Sequence, residues 1–140
     1  MGNFINGYPK EVNPQDTNRG DAFSLWITSP MPMVTLVKTF NISRLLKYSR
    51  KYNLSFNMLM CWCIGKAASG ISEFYLLPIQ GKLYQYSDKF CNPMLMWGKY
   101  RKGWIKTKLP ISFQFHHVQM DGGHAASFLN SLQDTINCIL

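Results

Sequence analysis

The end of the chain constrains the fold most. Residues 104–116, "WIKTKLPISFQFH", read as a long strand, and after a polar stretch the chain continues with apolar residues at helical spacing. Those residues are Ala125, Phe128, Leu129, Leu132 and Ile136. A strand followed at once by an amphipathic helix indicates a sheet that is covered by helices on one face. Pro110 within the strand predicts a bulge or an edge position.

The segments upstream add one strand and two helices. "MVTLVKTF", residues 33–40, is β-branched and alternating, which favours a strand. The next segment predicts an amphipathic helix that begins at Asn41 or Ser43. A second helix, capped by Ser55 and ended by Gly70, is apolar nearly all round, so we expect it to be buried.

Four strands are expected before the last helix. Residues 73–79 and 81–87 meet at Gln80-Gly81 as a hairpin would, and residues 93–100 turn near Lys102-Gly103 into the last strand. The order predicts an α+β fold, a two-layer sandwich of a mostly antiparallel sheet with helices on one face. We expect a single domain over 1–140, with residues 1–22 a largely irregular lead-in that is rich in Asn, Gly and Pro.

The charge of the chain suggests an anionic partner. The formal net charge is +8, and no acidic residue lies between Asp88 and Asp121. The cations in that gap are Lys89, Lys99, Arg101, Lys102, Lys106 and Lys108, and a second set on the first long helix is Arg44, Lys47, Arg50 and Lys51. Nucleic acid, a nucleotide-bearing coenzyme, an acidic surface and a merely solvated basic face all fit this pattern.

Other features bear on the compartment. The cysteines, at positions 61, 63, 91 and 138, form no CxxC pair, and the start "MGNFINGYPK" lacks an apolar signal region. No segment is long and apolar enough to span a membrane. These features predict a cytoplasmic protein with reduced thiols and no membrane partner.

The stretch "FHHVQMDGGH", residues 115–124, holds all three histidines of the chain and one aspartate. Alternation along the strand points His116 and His117 to opposite faces, which disfavours a shared metal because ligands must converge. Two interpretations remain open from the residues. His117 is an acid–base group beside a carboxylate, or it is a satisfied strand-end residue and Asp121 a helix N-cap.

The motif and its flanks resemble the chloramphenicol acetyltransferase family, whose signature is HHxxxDG before the C-terminal helix. Here the signature is His116-His117-Val118-Gln119-Met120-Asp121-Gly122. The resemblance extends to "NRGDAF" (18–23), to residues 39–74 as the family's first two helices, to "GKLYQYSDKF" (81–90) and to residues 92–122.

The resemblance implies an activity and a set of roles. Members of the family acetylate a hydroxyl group with acetyl-CoA and form no covalent acyl-enzyme. By resemblance, His117 is the general base, Asp121 is structural and pairs with Arg19, and Lys99 and Tyr100 line the coenzyme A channel. His124, beyond the motif, is a further candidate for lining the site. The family is trimeric, with active sites shared between subunits, and no metal is implied.

One departure from the family divides the functional hypotheses. The central segment, which in the family carries several strands, part of the acceptor tunnel and the oxyanion-stabilising serine, is missing between residues 90 and 91. The first hypothesis is a shortened O-acetyltransferase that acts on a small acceptor such as chloramphenicol. The second is an inactive scaffold that binds or sequesters a nucleotide or cyclic oligonucleotide signal between subunits, with His117 and Lys99 as contacts. A nucleic-acid-binding module rests on charge alone and is least favoured.

Overall fold

The helices follow the expected order, with one more helix near the start of the chain. In the computed structural model, which describes residues 9–86 and 94–139, the α-helices are α1 (Gly20–Trp26), α2 (Ser43–Tyr52), α3 (Phe56–Ser69) and α4 (Gly122–Cys138). Short 3-10 helices cover Pro14–Asp16 and Ser72–Tyr75. The boundary signals of α2 and α3 agree with the sequence: Asn41 accepts hydrogen bonds from Ser43, and Ser55 caps α3, which ends at Gly70.

The strands form two antiparallel sheets rather than one. The strands are β1 (Lys10–Val12), β2 (Met33–Asn41), β3 (Leu76–Ile79), β4 (Lys82–Gln85), β5 (Met94–Trp97), β6 (Arg101–Lys102) and β7 (Thr107–His116). The main sheet has the order β2-β7-β5, with β6 also paired to β7, and the small sheet has the order β1-β4-β3.

The core lies between one face of the main sheet and helices α2, α3 and α4. Alternate residues of β7 point into it, and they are the fully buried Leu109, Ile111, Phe113 and Phe115. From the helix side, Leu45, Met60 and Phe128 pack into the same cluster. The fold is therefore α+β with helices on one face of an antiparallel sheet, as the alternation and helical spacing predict.

Pro110 does not lie on an edge strand, because β7 has β2 on one side and β5 and β6 on the other. The edge alternative is wrong. The neighbouring strand is instead interrupted beside this proline: Trp97 pairs with Ile111 and Arg101 with Lys108, so three residues face two. An interruption of this kind lowers the cost of a missing backbone donor in a sheet interior.

The lead-in is more ordered than expected. Within its described part, residues 9–22, it contains β1, a 3-10 helix and the start of α1, so the expectation of an irregular segment is wrong there. The physical reason is a second apolar cluster, in which Leu76, Leu83 and Val118 are buried. The residues Val12, Phe23, Trp26 and Ile27 pack against it.

Helix α3 is only half buried, which corrects the expectation that its apolar surface lies inside. Met60 and Cys63 face the core, whereas Met58 is 71% and Trp62 54% exposed. Burial raises the pKa of the Cys63 thiol to about 11, so this cysteine stays protonated and packs as a small apolar residue. The other face of α3 remains available for contacts.

Candidate active site

The functional residues of the sequence motif lie where β7 ends and the chain turns into α4. The turn at residues 117–119 is fixed by backbone hydrogen bonds: the N–H of His117 donates to the carbonyl of Pro32 at 2.7 Å, and those of Gln119 and Met120 donate to the carbonyl of His116. Val118 and Gln119 of the turn, and Met120 directly after it, are buried. The turn therefore presents the two histidines from a rigid support.

The imidazole of His117 is held by stacking. Its ring lies against the indole of Trp26 with centroids 4.4 Å apart and an interplanar angle of 7°. The Nδ1 atom is buried and has no hydrogen-bond partner among the described residues. Nε2 is therefore the ring nitrogen left to exchange a proton with a bound molecule.

Arg19, at the start of α1, holds the turn through hydrogen bonds from its side chain. Its guanidinium donates from Nε to the carbonyl of Val118 at 3.0 Å, from Nη2 to the carbonyl of His117 at 2.7 Å, and from Nη1 to Oδ2 of Asp121 at 2.9 Å. Only 3% of the Arg19 side chain is exposed. Three charge-assisted hydrogen bonds from one planar group fix both ends of the turn that carries His117.

Asp121 is also the N-cap of α4. Its Oδ1 accepts from the backbone N–H of His124, and the backbone N–H of Asp121 is directed at Nδ1 of His124, which completes a capping box. Nδ1 of His124 also lies 2.9 Å from Oδ1 of Asp121, and Nε2 lies 3.3 Å from Oε1 of Glu73. The ring of His124 therefore lies between the carboxylates of Asp121 and Glu73.

Glu73 extends this network to the N-terminal region. Its side chain is almost entirely buried, and Oε1 accepts a 2.8 Å hydrogen bond from Nδ2 of Asn18, the residue before Arg19. Burial on its own would raise the pKa of Glu73, but hydrogen bonds from Asn18, its own backbone N–H and Ser72, with the charge of His124, hold the pKa below its ordinary value. Glu73 is thus an ionised group at neutral pH.

The pKa of Asp121 is lowered in the same way. Burial opposes ionisation, while hydrogen bonds from the His124 backbone and Arg19, and the positive charges of both, lower the pKa. His116 differs from its neighbour: its Nδ1 accepts the N–H of Val118 at 3.1 Å, and burial, then the proximity of His117, lowers its pKa. His116 is therefore a neutral structural residue at neutral pH.

Lys99 and Tyr100 lie at the other end of the main sheet. They follow β5 and line a shallow depression with Phe56, Asn57 and Gly98, and the ring of Tyr100 meets that of Phe56 edge-on at 5.9 Å. Since Trp97 pairs with Ile111, about seven residues of β7, or roughly 23 Å, separate this depression from the histidines. The structure thus brings Arg19, His117, Asp121 and His124 together and leaves Lys99 and Tyr100 apart from them.

No group of three or more His, Cys, Asp or Glu side chains that could hold a metal ion occurs within 9–86 and 94–139. In the same ranges no helix is long and apolar enough to cross a membrane. The chain junction at which the central segment of the family is missing falls within residues 87–93, outside the described residues.

Comparison with known proteins agrees with the motif. Residues 82–133 match the model of the chloramphenicol acetyltransferase family. Over this segment, the chain is similar to the chloramphenicol acetyltransferase family. The chloramphenicol acetyltransferase of Campylobacter coli is 42% identical over 45 residues, 32% of this chain and 22% of that protein. Chloramphenicol acetyltransferase 3 of Escherichia coli is 38% identical over 52 residues, 37% of this chain and 24% of that protein.

The alignments are short: the chain spans about a quarter of the length of these chloramphenicol acetyltransferases, which is consistent with a shortened member. A solved chloramphenicol acetyltransferase chain superposes with a TM-score of 0.81 at 14% identity and covers 94% of this chain and 100% of that one. A probable dihydrolipoamide acetyltransferase from Listeria monocytogenes superposes at 0.61 with 8% identity, covering 94% and 95%. At these identities the likeness shows the fold.

Sequence reasoning missed Trp26, Glu73 and Asn18. Asn18 directly precedes Arg19, so its neighbourhood was a usable signal. No signal in the sequence points to Trp26 and Glu73, because they contact the motif from segments about 90 and 50 residues away in the chain. Only the tertiary fold shows that they touch it.

Proposed function

We propose that this protein is an acetyl-CoA-dependent O-acetyltransferase that acts on a small hydroxyl acceptor such as chloramphenicol. The observation that carries the proposal is the His117 imidazole, stacked on Trp26 with Nδ1 buried and its backbone clamped by Arg19. An imidazole that is held in a fixed orientation is what general-base catalysis requires.

In the proposed reaction, Nε2 of His117 removes the proton of the acceptor hydroxyl. The hydroxyl oxygen then attacks the thioester carbonyl, the carbon–sulfur bond breaks, and the coenzyme A thiolate takes the proton back from the imidazolium. The acetyl ester and free coenzyme A are the products. The chain supplies the base and its orientation, the latter through Arg19 and Asp121.

Lys99 and Tyr100 are proposed as contacts of the coenzyme. Lys99 is exposed at the far end of the sheet, where an ammonium group can meet phosphate oxygens. Coenzyme A is elongated, with its phosphates and its thiol at opposite ends of the pantetheine arm. The separation of roughly 23 Å along β7 suits such a ligand better than a compact one.

We also propose a homotrimer, in which a neighbouring subunit covers the site. His116 and Met33 pair at one end of the main sheet, and within residues 9–86 and 94–139 no layer of helices covers the face opposite the core. A second subunit on that face would reach the turn at His117 and supply walls for the acceptor.

Thiol release tests the enzyme hypothesis. The full chain is incubated with acetyl-CoA and chloramphenicol, and free coenzyme A is followed with a thiol-reactive chromophore. We expect turnover that falls about 10²–10⁴-fold in His117→Ala. The matched control is His116→Asn, which keeps an acceptor for the Val118 N–H and should retain most of the rate. A wild-type rate no higher than that of His117→Ala contradicts the proposal.

A second candidate, a scaffold that binds a nucleotide or cyclic oligonucleotide without turnover, is favoured by one observation. The aromatic pair Phe56 and Tyr100 lies beside the exposed Lys99, which combines a stacking surface with a cation. Calorimetry against mono-, di- and cyclic nucleotides, with Lys99→Glu as the comparison, tests it. Binding without thiol release would favour the scaffold, and flat titrations would remove it.

A further inference from the structure

The hairpin of β6 and β7 projects two apolar side chains straight into solvent. Its turn is closed by a 2.9 Å hydrogen bond from the N–H of Gly103 to the carbonyl of Lys106. A Cβ atom at position 103 would lie 2.6 Å from that oxygen, so the tight turn requires glycine. At its tip, Trp104 is fully exposed and Ile105 is 84% exposed. Neither side chain contributes to the core.

Cations surround this tip. Three depressions adjoin one another here: Lys47 lines the first and the second, and Lys102 and Gly103 line the second and the third. Together they join the hairpin to the solvent-exposed face of α2. The exposed cations that line them are Arg44, Lys47, Arg50, Lys51, Arg101, Lys102, Lys106 and Lys108. No Asp or Glu of the described ranges lines any of the three, so the surface is uncompensated.

We propose that this hairpin and the basic face of α2 form a docking surface for membranes that contain anionic lipids. Trp104 and Ile105 would enter the boundary between head groups and acyl chains, while the cations around them meet lipid phosphates. Tryptophan favours this depth of a bilayer, and flanking lysines extend their amines toward the head groups.

The apolar tip decides between a membrane and a nucleic acid. A nucleic-acid surface gains from aromatic rings and cations, but Ile105 offers no flat ring to a base. In an interfacial anchor, an aliphatic side chain next to the tryptophan adds buried apolar area. The sequence-based expectation of no membrane partner rested on the lack of a spanning segment, and surface docking needs none.

Vesicle flotation with the full chain tests the proposal. We expect binding to phosphatidylcholine vesicles that contain about one third phosphatidylglycerol, little binding to phosphatidylcholine alone, and loss of binding as salt is raised. Lys106→Glu should weaken binding at least about fivefold, the equivalent of roughly 1 kcal/mol for one cation near the surface. Lys10→Glu makes the same charge change on the exposed strand β1 and should leave most of the affinity.

The apolar tip is tested by fluorescence. Brominated acyl chains should quench the tryptophan emission of the wild-type chain on binding, and Trp104→Phe should bind but lose that quenching. Ile105→Ser should weaken binding, whereas Met58→Ser, which removes an apolar side chain that is 71% exposed on α3, should not.

Three results would overturn the proposal. They are equal binding to both vesicle types, quenching that persists in Trp104→Phe, and a single-stranded RNA that displaces vesicles at equal phosphate concentration. The last result would assign the surface to nucleic acid. Because Trp104, Ile105 and Lys106 are not part of the proposed active site, loss of vesicle binding with unchanged thiol release separates this proposal from the acetyltransferase one.

Discussion

At the scale of single residues, Arg19 joins three groups of the turn that carries the motif. One buried guanidinium holds the carbonyls of His117 and Val118 and the carboxylate of Asp121, so removing it leaves all three without their donor. We expect Arg19→Ala to lower the free energy of unfolding by about 2–4 kcal/mol, because two carbonyls and a carboxylate lose a charged hydrogen-bond donor. Urea denaturation measures the change.

The control for Arg19 is an exposed ion pair in the small sheet. Lys82 and Glu11 lie 3.0 Å apart with more than half of each side chain exposed, so Lys82→Ala should cost no more than about 1 kcal/mol. Similar losses in the two variants would show that the Arg19 cluster contributes little to folding. Arg19→Lys should lie between them, because an ammonium cannot replace a planar group with three directed donors.

The titratable residues of the site predict how stability depends on pH. The folded-state pKa values of Glu73, Asp121 and His116 all lie below their ordinary values. Groups whose pKa is depressed by folding stabilise the protein above the ordinary pKa, and that contribution is lost as the pH falls toward the folded value. The free energy of unfolding should therefore decline as the pH falls below about 6.5, where histidine in the unfolded chain takes up a proton. It should decline more steeply below about pH 4.5, where the carboxylates of the unfolded chain do the same.

Replacement of the buried carboxylate should flatten the acid limb of this profile. In Glu73→Gln, urea midpoints should change less between pH 5 and pH 3 than in the wild type, because one depressed carboxyl is gone. Glu11→Gln, at the exposed pair with Lys82, serves as the comparison. A profile of Glu73→Gln that parallels the wild type would show that folding does not lower the pKa of Glu73.

At the scale of elements, the hairpin of β3 and β4 depends on its two turn residues. Gln80 and Gly81 both have positive φ, 49° and 77°, as in the type I′ turns that suit two-residue hairpins. Gly81→Ala should cost about 1–2 kcal/mol, because an L-residue is strained in that region. Gly70→Ala, where φ is −86° and nothing lies within 4 Å of the added Cβ, should cost nothing or stabilise slightly. Equal effects on the thermal midpoint would contradict the turn assignment.

Elements with strong local signals were predictable from the sequence, and elements that depend on distant partners were not. Ser55 marks the start of α3 and Gly70 its end, and both are local signals that need no tertiary context. The N-terminal strand β1 has only Val12 turned inward, and it forms because β4 offers an edge to pair with. Propensity over three residues cannot predict such a strand.

The residues of the candidate site likewise divide into those that the sequence predicts and those that it does not. The motif identifies His117 and Asp121, because its residues lie close together in the sequence. The resemblance to the family adds Arg19 as the partner of Asp121. Trp26 and Glu73 contribute through contacts made by α1 and by the 3-10 helix before β3, and no spacing in the chain encodes these contacts. The exposed half of α3 was unpredictable for a related reason: hydrophobicity does not say which side of a helix a sheet will cover.

At the scale of the whole molecule, the uncovered face of the main sheet should decide assembly. Its exposed apolar residues are Met33, Val37, Met94 and Met96, on strands on both sides of β7. Val37 pairs with Ser112 and Met94 with Gln114, so this face has apolar flanks and a polar centre. Apolar surface of this kind marks protein interfaces, and the proposed trimer gives it an occupant.

Val37→Glu should dissociate the trimer, because an interface would have to bury an unpaired carboxylate. Sedimentation velocity should show the wild-type chain at three times its monomer mass and the variant at the monomer mass. Leu54→Glu, an exposed apolar position between α2 and α3 and away from the sheet, should stay trimeric. If Val37→Glu stays trimeric, the chains associate through another surface; a wild-type monomer at every concentration would contradict the trimer itself. In the variant, acetylation should fall with assembly, because the partner that covers the end of β7 at His117 would be lost.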